Sequence, residues 1–386
     1  MQVCRRVKLR LDCLVYLGFI LAIVKYTFAI TVFTLPHWCD ISLMLAALAC
    51  FMAYIILTQV KGKAFLLFLT SVTLAVAVYL SNGHDDGLII AVIAIYALRG
   101  IELAKLIKCY TIVACLFFIL VIGCSLITGK NIGLYEGFRI ERGFEYRYTF
   151  GFIHPNSLQA VYMKLVCGLI LSNWGKRNRE FKYFMLETGN LILFLFSDSR
   201  TGFIVLTMIL LMAFGMKYVI RMFKPRGFLF IISVFDIFVI GFTVFACFFY
   251  TKYEWVKWIS SLITGRFELA YRFIREFPVR FLGIDITFID KYRFENEQIL
   301  DCGIINTLLH FGLFVFMVSI VIYIVGSWKM WREDNYAGMI VAAGFILYSV
   351  MENVYFDIFA NLGLILCCYY VVNGKKGVSS RGVKYG

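Results

Sequence analysis

Apolar runs of near-constant length follow one another along almost the whole chain. They fall at 11–34, 41–60, 64–81, 87–103, 109–128, 157–173, 184–199, 202–220, 227–250, 304–326, 337–356 and 358–373. Each is close to the roughly 20 residues that a helix needs to cross the hydrocarbon layer of a bilayer. The pattern predicts an all-α polytopic membrane protein with about twelve transmembrane helices. Residues 1–386 are read as a single integral membrane domain.

Two polar intervals are longer than a connection between spans needs, namely 129–156 and 251–303. Long loops in compact proteins commonly carry function. Within the second, Thr264 to Phe277 has helical periodicity. Phe267, Ala270, Tyr271, Ile274 and Phe277 share one face, and Glu268, Arg272, Arg275 and Glu276 another. The pattern predicts an amphipathic helix lying on the outer membrane surface or on the bundle. The pairs Glu268–Arg272 and Arg272–Glu276 have i,i+4 spacing. Arg266 has Ala270 at that spacing, so no carboxylate on its own helix neutralises it.

Composition sharpens the class. Of 386 residues 61% are apolar and 16% charged, and the mean hydropathy is +0.83. The net charge of +14 is a topology signal here. Lys and Arg gather in the N-terminal tail, at Lys61 and Lys63, in 99–108, 174–183, 216–226 and 327–333, and in the C-terminal tail. The short loops 35–40 and 82–86 have none. By the positive-inside rule both termini are cytoplasmic and both long intervals extracytoplasmic, in a multi-pass protein of the plasma membrane. Arg5, Arg6, Lys8 and Arg10 precede an apolar run with no small-residue cleavage site, which predicts an uncleaved first span. No basic segment interleaves with aromatics as a nucleic-acid groove would, so a nucleic-acid partner is not expected. The 12 cysteines form no CxxC pair and no Cys/His metal spacing. There is no Walker loop, dinucleotide fingerprint or Asp-x-Asp. No metal and no cofactor are expected.

Candidate chemistry lies at the outer ends of the spans. Arg139, Arg142, Arg147, Arg200, Arg266 and Arg280 are a set of fixed cations whose forks match phosphate oxygens. Arg142 and Arg147 serve equally well as partners of Glu136, Glu141 and Glu145. Arg200 and Arg266 sit in compact polar motifs, Ser199-Arg200-Thr201-Gly202 and Thr264-Gly265-Arg266, beside apolar sequence. His154 opens the sixth span in Phe150-Gly151-Phe152-Ile153-His154-Pro155-Asn156. Its neutral ring is a candidate proton acceptor. The motif also suits a helix start, with Pro155 in the first turn and Asn156 or Ser157 as the N-cap. Asp301 and Glu352 are candidates for a base or for binding sugar hydroxyls, and Asp301 also suits an N-cap. Lys25, Lys164 and Asp236 lie inside spans and are read as buried pairs that orient helices. His37, His84 and His310 have no supporting neighbours in sequence and are read as structural.

These motifs, with Pro278 and Gly283 downstream, resemble the Wzy-type polysaccharide polymerases of the O-antigen ligase-like superfamily, over about residues 140–360. Members carry an Asp-Asn pair where this chain has Asp301-Cys302. The resemblance implies a metal-independent glycosyltransferase of the GT-C type that joins undecaprenyl-diphosphate-linked oligosaccharide repeat units into capsular or extracellular polysaccharide. His154, Arg200, Arg266, Asp301 and Glu352 would be catalytic, and Arg142, Arg147, Asn156 and Arg280 would bind substrate. Membrane lipid, a flippase and a chain-length regulator are the implied partners. Transfer of finished glycan to another acceptor, and transport of the lipid-linked sugar, are the alternatives. Transporters often show repeats and broken helices near the bilayer midplane, and the sequence displays neither.

Overall fold

The computed structural model describes residues 2–58, 62–129, 132–139, 143–172, 179–222, 225–286 and 300–373. The elements run α1 (Gln2–Ala29), α2 (His37–Leu57), α3 (Lys63–Ser81), α4 (Gly87–Ala97), α5 (Leu103–Thr128), β1 (Leu134–Arg139) and β2 (Gly143–Tyr148). There follow α6 (Pro155–Leu171), α7 (Arg179–Ser197), α8 (Arg200–Met222), α9 (Pro225–Phe248), α10 (Glu254–Leu262) and α11 (Arg266–Glu276). The chain ends with α12 (Gly303–Asn306), a π-helical turn (Thr307–Phe311), α13 (Gly312–Arg332), α14 (Tyr336–Tyr348) and α15 (Leu362–Val372).

Every apolar stretch foreseen in the sequence carries a helix. Six of the helical runs are long and apolar enough to cross a membrane: Leu11–Ala29, His37–Leu57, Lys63–Ser81, Leu103–Thr128, Phe230–Phe248 and Gly303–Arg332. This is an all-helical membrane protein with one small antiparallel hairpin, β1–β2. Four apolar helices are shorter: Gly87–Ala97, Arg200–Met216, Tyr336–Tyr348 and Leu362–Val372.

The helices divide into two compact units. The first holds α1, α2, α5, the hairpin, α6, α7 and α8. Here α1 lies along α2 and α5, α5 along α6, and α6 against α7 and α8. Val121, Phe152, Leu158 and Val161 form a buried core, with Phe33, Phe117 and Leu193 packed around it. The residues after α1 pair antiparallel with those before α6. Val32 N–H donates to the Gly151 carbonyl and Ile153 N–H to the Ile30 carbonyl, each at 3.0 Å. That short ladder fixes where α6 begins. A chain of amides crosses the helices: Gln159 donates to Asn190 Oδ1, and Asn190 donates to the Phe203 carbonyl at 3.2 Å and Thr207 Oγ1 at 3.0 Å. Such bonds join helices where the hydrophobic effect between them is weak.

The second unit holds α3, α4 and α9 to α15. α13 packs against α9, α14 and α15, while α4 meets α3 and α15. The amphipathic helix is α11, and it lies on α9. It buries Phe267, Ala270 and Phe273. Phe273 takes the buried place that the periodicity gives to Ile274. Glu268 pairs with Arg272 as the spacing requires.

The apolar stretch 337–356 is not one span. α14 stops at Tyr348, and a turn-rich segment runs to Asn361 before α15 starts. At 13 and 11 residues, α14 and α15 are each shorter than the ~30 Å hydrocarbon layer at ~1.5 Å rise per residue. Non-helical backbone at such depth survives only when protein groups satisfy it. Asn361 does this by donating to the carbonyls of Val354 at 3.1 Å and Tyr355 at 3.2 Å, and its Oδ1 accepts from Leu364 N–H at 2.9 Å. Tyr323 adds a hydrogen bond to the Tyr355 carbonyl at 3.1 Å. The expectation of unbroken helices therefore fails here. Asp236 also departs from expectation: the partner given to it is the Ser327 hydroxyl at 3.3 Å, not a cation.

Candidate functional site

In the first unit the site is built where α7 ends and α8 begins. Asp198 takes a left-handed conformation (φ 46°) and turns the chain sharply. A helix end leaves carbonyls without intrahelical partners. Arg147, from β2, fills that place. Its Nε–H donates to the Ser197 carbonyl at 2.6 Å, and one terminal nitrogen donates to the Asp198 carbonyl at 3.0 Å. The same nitrogen is 3.4 Å from Asn156 Oδ1, which also accepts from Ser199 Oγ at 3.0 Å. Arg147 is 7% exposed. A cation at a helix C-terminus is favourable on both counts, as a donor and against the dipole. Arg147 thus acts as a clamp. Arg200 differs. Its side chain is 38% exposed and lies 3.5 Å from Asp198 Oδ1, so it is the accessible cation of this opening.

His154 is the N-cap of α6. Its Nδ1 accepts from Asn156 N–H at 3.1 Å, and Pro155 follows in the first turn. The cap is therefore His154, not Asn156 or Ser157. Asn156 instead joins the Arg147–Ser199 cluster. A neutral imidazole that accepts at Nδ1 carries its proton on Nε2. In this geometry His154 offers a donor, not a proton acceptor.

In the second unit Arg266, at the start of α11, meets Asp301 and Glu352. Asp301 Oδ2 accepts from one terminal nitrogen, and Glu352 Oε1 lies 3.8 Å from the other. The three side chains are 17%, 30% and 16% exposed. The carboxylates come from the segment before α12 and from the break between α14 and α15, far from Arg266 in sequence. Gly303 makes this meeting possible. A Cβ there would sit 2.8 Å from the Glu352 carbonyl oxygen and 2.9 Å from Tyr355 N. Gly303 N–H donates to the Ser349 carbonyl at 2.9 Å, which ties the two segments. The N-cap position of α12 is Cys302, so Asp301 is released to face Arg266. The reading of Arg266 as the less neutralised cation holds within its own helix and fails in the fold. Its Nε–H, however, is buried and has no acceptor.

Arg280 is exposed, on the segment that leads away from α11, and its carbonyl accepts from Leu313 N–H at 2.9 Å. Arg142 lies outside the described residues. Arg200 belongs to the first unit and Arg266 to the second.

The sequence reading missed one pair. His310 Nε2 is 2.8 Å from Asp85 Oδ2. Nothing in the local sequence of either residue announces the other, and His310 is not without supporting neighbours. The weak sequence signal was an Asp-Asp turn, Asp85-Asp86, at the end of a short loop without cations. Among the described residues no group of three or more His, Cys, Asp or Glu side chains could hold a metal ion. Comparison of the chain with known families, characterised proteins and solved structures gives no match.

Proposed function

We propose that this protein is a repeat-unit polymerase of the Wzy type, crossing the plasma membrane about twelve times with both termini in the cytoplasm and both long loops outside. It transfers a growing glycan from undecaprenyl diphosphate to a hydroxyl of the next lipid-linked unit. The hydroxyl oxygen forms a bond to the anomeric carbon, the carbon–oxygen bond to the diphosphate breaks, and the diphosphate leaves with the electron pair. Such a leaving group is already activated, so the protein must supply fixed cations, alignment and a proton acceptor.

The observation that carries the reading is the state of Arg266. Its terminal nitrogens hold Asp301 and Glu352, while its Nε–H is buried without an acceptor. A guanidinium oriented by two carboxylates, with one donor left over, suits a phosphate oxygen. Arg200 is a second exposed cation for anionic substrate, and Arg280 a third. Arg147 and Asn156 support the opening from behind. Asp301 and Glu352 orient Arg266 and sit where sugar hydroxyls are to be held. A flippase and a chain-length regulator are natural companions of this activity.

The test is reconstitution. Purified protein in liposomes is given lipid-linked oligosaccharides extracted from cells lacking its gene. A ladder of lengthening chains is expected, and none from Arg266→Ala at equal protein level. Long lipid-linked chains that accumulate in the deletion strain instead of single units would point to a ligase.

The break between α14 and α15 favours a second reading, transport of the lipid-linked sugar, because interrupted helices line transporter sites. Movement of lipid-linked sugar across liposomes without elongation would select it.

A further inference from the structure

We infer that His310, positioned by Asp85, accepts the proton in the transfer reaction; the role rests on the polymerase reading above. Both residues belong to the second unit. Asp85 lies in the turn between α3 and α4, and His310 in the π-turn that joins α12 to α13. Single π-turns inside α-helices occur often at functional sites.

The hydrogen-bond pattern sets the ring's chemistry. A carboxylate only accepts, so at 2.8 Å from Asp85 Oδ2 the Nε2 of a neutral His310 carries the proton. Nδ1 then keeps a bare lone pair, and this nitrogen is buried with no hydrogen-bond partner. Asn82 Nδ2 stands 3.5 Å from Nε2 and does not reach Nδ1 with any given bond. Asp85 is itself held, since its Oδ1 accepts from Gly87 N–H at 2.7 Å. A ring fixed in one tautomer by a carboxylate, with the other nitrogen open, is the arrangement of a general base.

His154 has the opposite arrangement, because Asn156 N–H engages its Nδ1. Asp301 and Glu352 face the guanidinium of Arg266. His310 is therefore the best placed of the candidate bases.

The backbone that carries it is locked on both sides. Gly283 has φ +84°, and a Cβ there would stand 2.1 Å from the His310 carbonyl oxygen. Ile284 N–H donates to the Leu309 carbonyl at 3.1 Å. One residue before Gly283, the Leu282 carbonyl accepts from Ser81 Oγ at 2.6 Å, which ties this strap to the end of α3 near Asp85. A base held by such a supporting shell is preorganised.

In the step, the acceptor's O–H proton moves to Nδ1 as its oxygen bonds to the anomeric carbon and the diphosphate departs with the electron pair. The imidazolium is stabilised by Asp85, which stays ionised, and the proton later passes to water.

Two measurements test this. In bilayers, protein labelled with ¹⁵N in the imidazole rings of its 4 histidines is compared with His310→Gln to assign the His310 signals. An unprotonated Nδ1 and a protonated Nε2 are expected, with that tautomer preference lost in Asp85→Asn. In liposomes, elongation of the lipid-linked oligosaccharides extracted from gene-deleted cells is expected to fall about 10²- to 10⁴-fold in kcat for His310→Gln, with KM unchanged. Asp85→Asn is expected to fall in the same direction and by less. A wild-type His310 protonated at Nδ1 overturns the role, as does a wild-type kcat in His310→Gln. No elongation by the wild type overturns the polymerase reading and this role with it, whereas elongation that survives in His310→Gln overturns the role alone.

Discussion

Arg266 holds Asp301 with one terminal nitrogen while its other lies 3.8 Å from Glu352. One cation therefore organises two carboxylates that arrive from separate segments. The cluster carries a net negative charge, so an incoming diphosphate must take the guanidinium over from at least one carboxylate, and Glu352, at the longer contact, is the easier to displace. Lysine offers a point charge and no planar fork. Arg266→Lys is expected to reach the membrane in normal amount and to elongate lipid-linked units about 100-fold more slowly or worse, the loss typical of removing one oriented donor from a reacting site. Glu352→Gln is expected to lose less than Asp301→Asn. Chain-length distributions from the three variants check the order, and equal losses for Asp301→Asn and Glu352→Gln would contradict it.

Arg147 and Arg200 lie close together in the first unit and should fail in different ways. Arg147 is buried and caps α7 through the Ser197 and Asp198 carbonyls. Replacing it by Met strands those carbonyls, at a cost of about 2–4 kcal/mol of stability. Arg200 is 38% exposed with one long contact to Asp198. Arg200→Met is expected to change stability by less than about 1 kcal/mol, yet to stop elongation. Thermal unfolding in detergent, beside the elongation assay, separates the two. A large stability loss in Arg200→Met would remove it from the candidate site.

The positions of the helices were legible in the sequence because burial in a bilayer imposes one simple rule, an apolar run of sufficient length. The face of α11 was legible for a similar reason: Phe267 and Ala270 repeat at helical spacing on a segment otherwise rich in charge. What the pattern could not show was where an apolar run stops being helical. Residues 337–356 are apolar throughout most of their length, but Asn361, five positions beyond, satisfies a break that hydropathy does not register. The hairpin β1–β2 and helix α10 were hidden in a polar interval with no strong period. Arg266 looked unneutralised because its partners, Asp301 and Glu352, are distant in sequence. His310 looked idle for the same reason. Local spacing speaks only to neighbours on one element.

Gly303 gives a test of the meeting between Asp301 and Glu352. A methyl group at this position meets the Glu352 carbonyl oxygen at 2.8 Å and Tyr355 N at 2.9 Å. Both are backbone atoms, which cannot rotate away as a side chain tip can. Gly303→Ala should push the start of α12 from the break and pull Asp301 from Arg266. A destabilisation of about 1–3 kcal/mol is expected from the overpacking, together with slowed elongation. A stable variant with normal chain lengths would show that the approach is not needed.

His154 allows the structural part of a motif to be separated from its chemical part. Its Nδ1 accepts from Asn156 N–H and closes the first turn of α6. Asn at that position is able to accept the same bond, whereas Ala is not. The helix start is further fixed by Pro155 and by the pairing of Ile153 with Ile30, so the cap is one contribution among several. His154→Ala is expected to lower stability by about 1 kcal/mol, and His154→Asn by less. If His154 only starts the helix, His154→Asn elongates like the wild type. If its Nε2–H also donates to the substrate, both variants slow elongation equally while differing in stability. The second outcome is expected, because the ring is only half-buried and opens α6 beside the cluster that joins Asn156, Ser199 and Arg147. Unfolding temperature and elongation rate, measured on the same two preparations, decide between them.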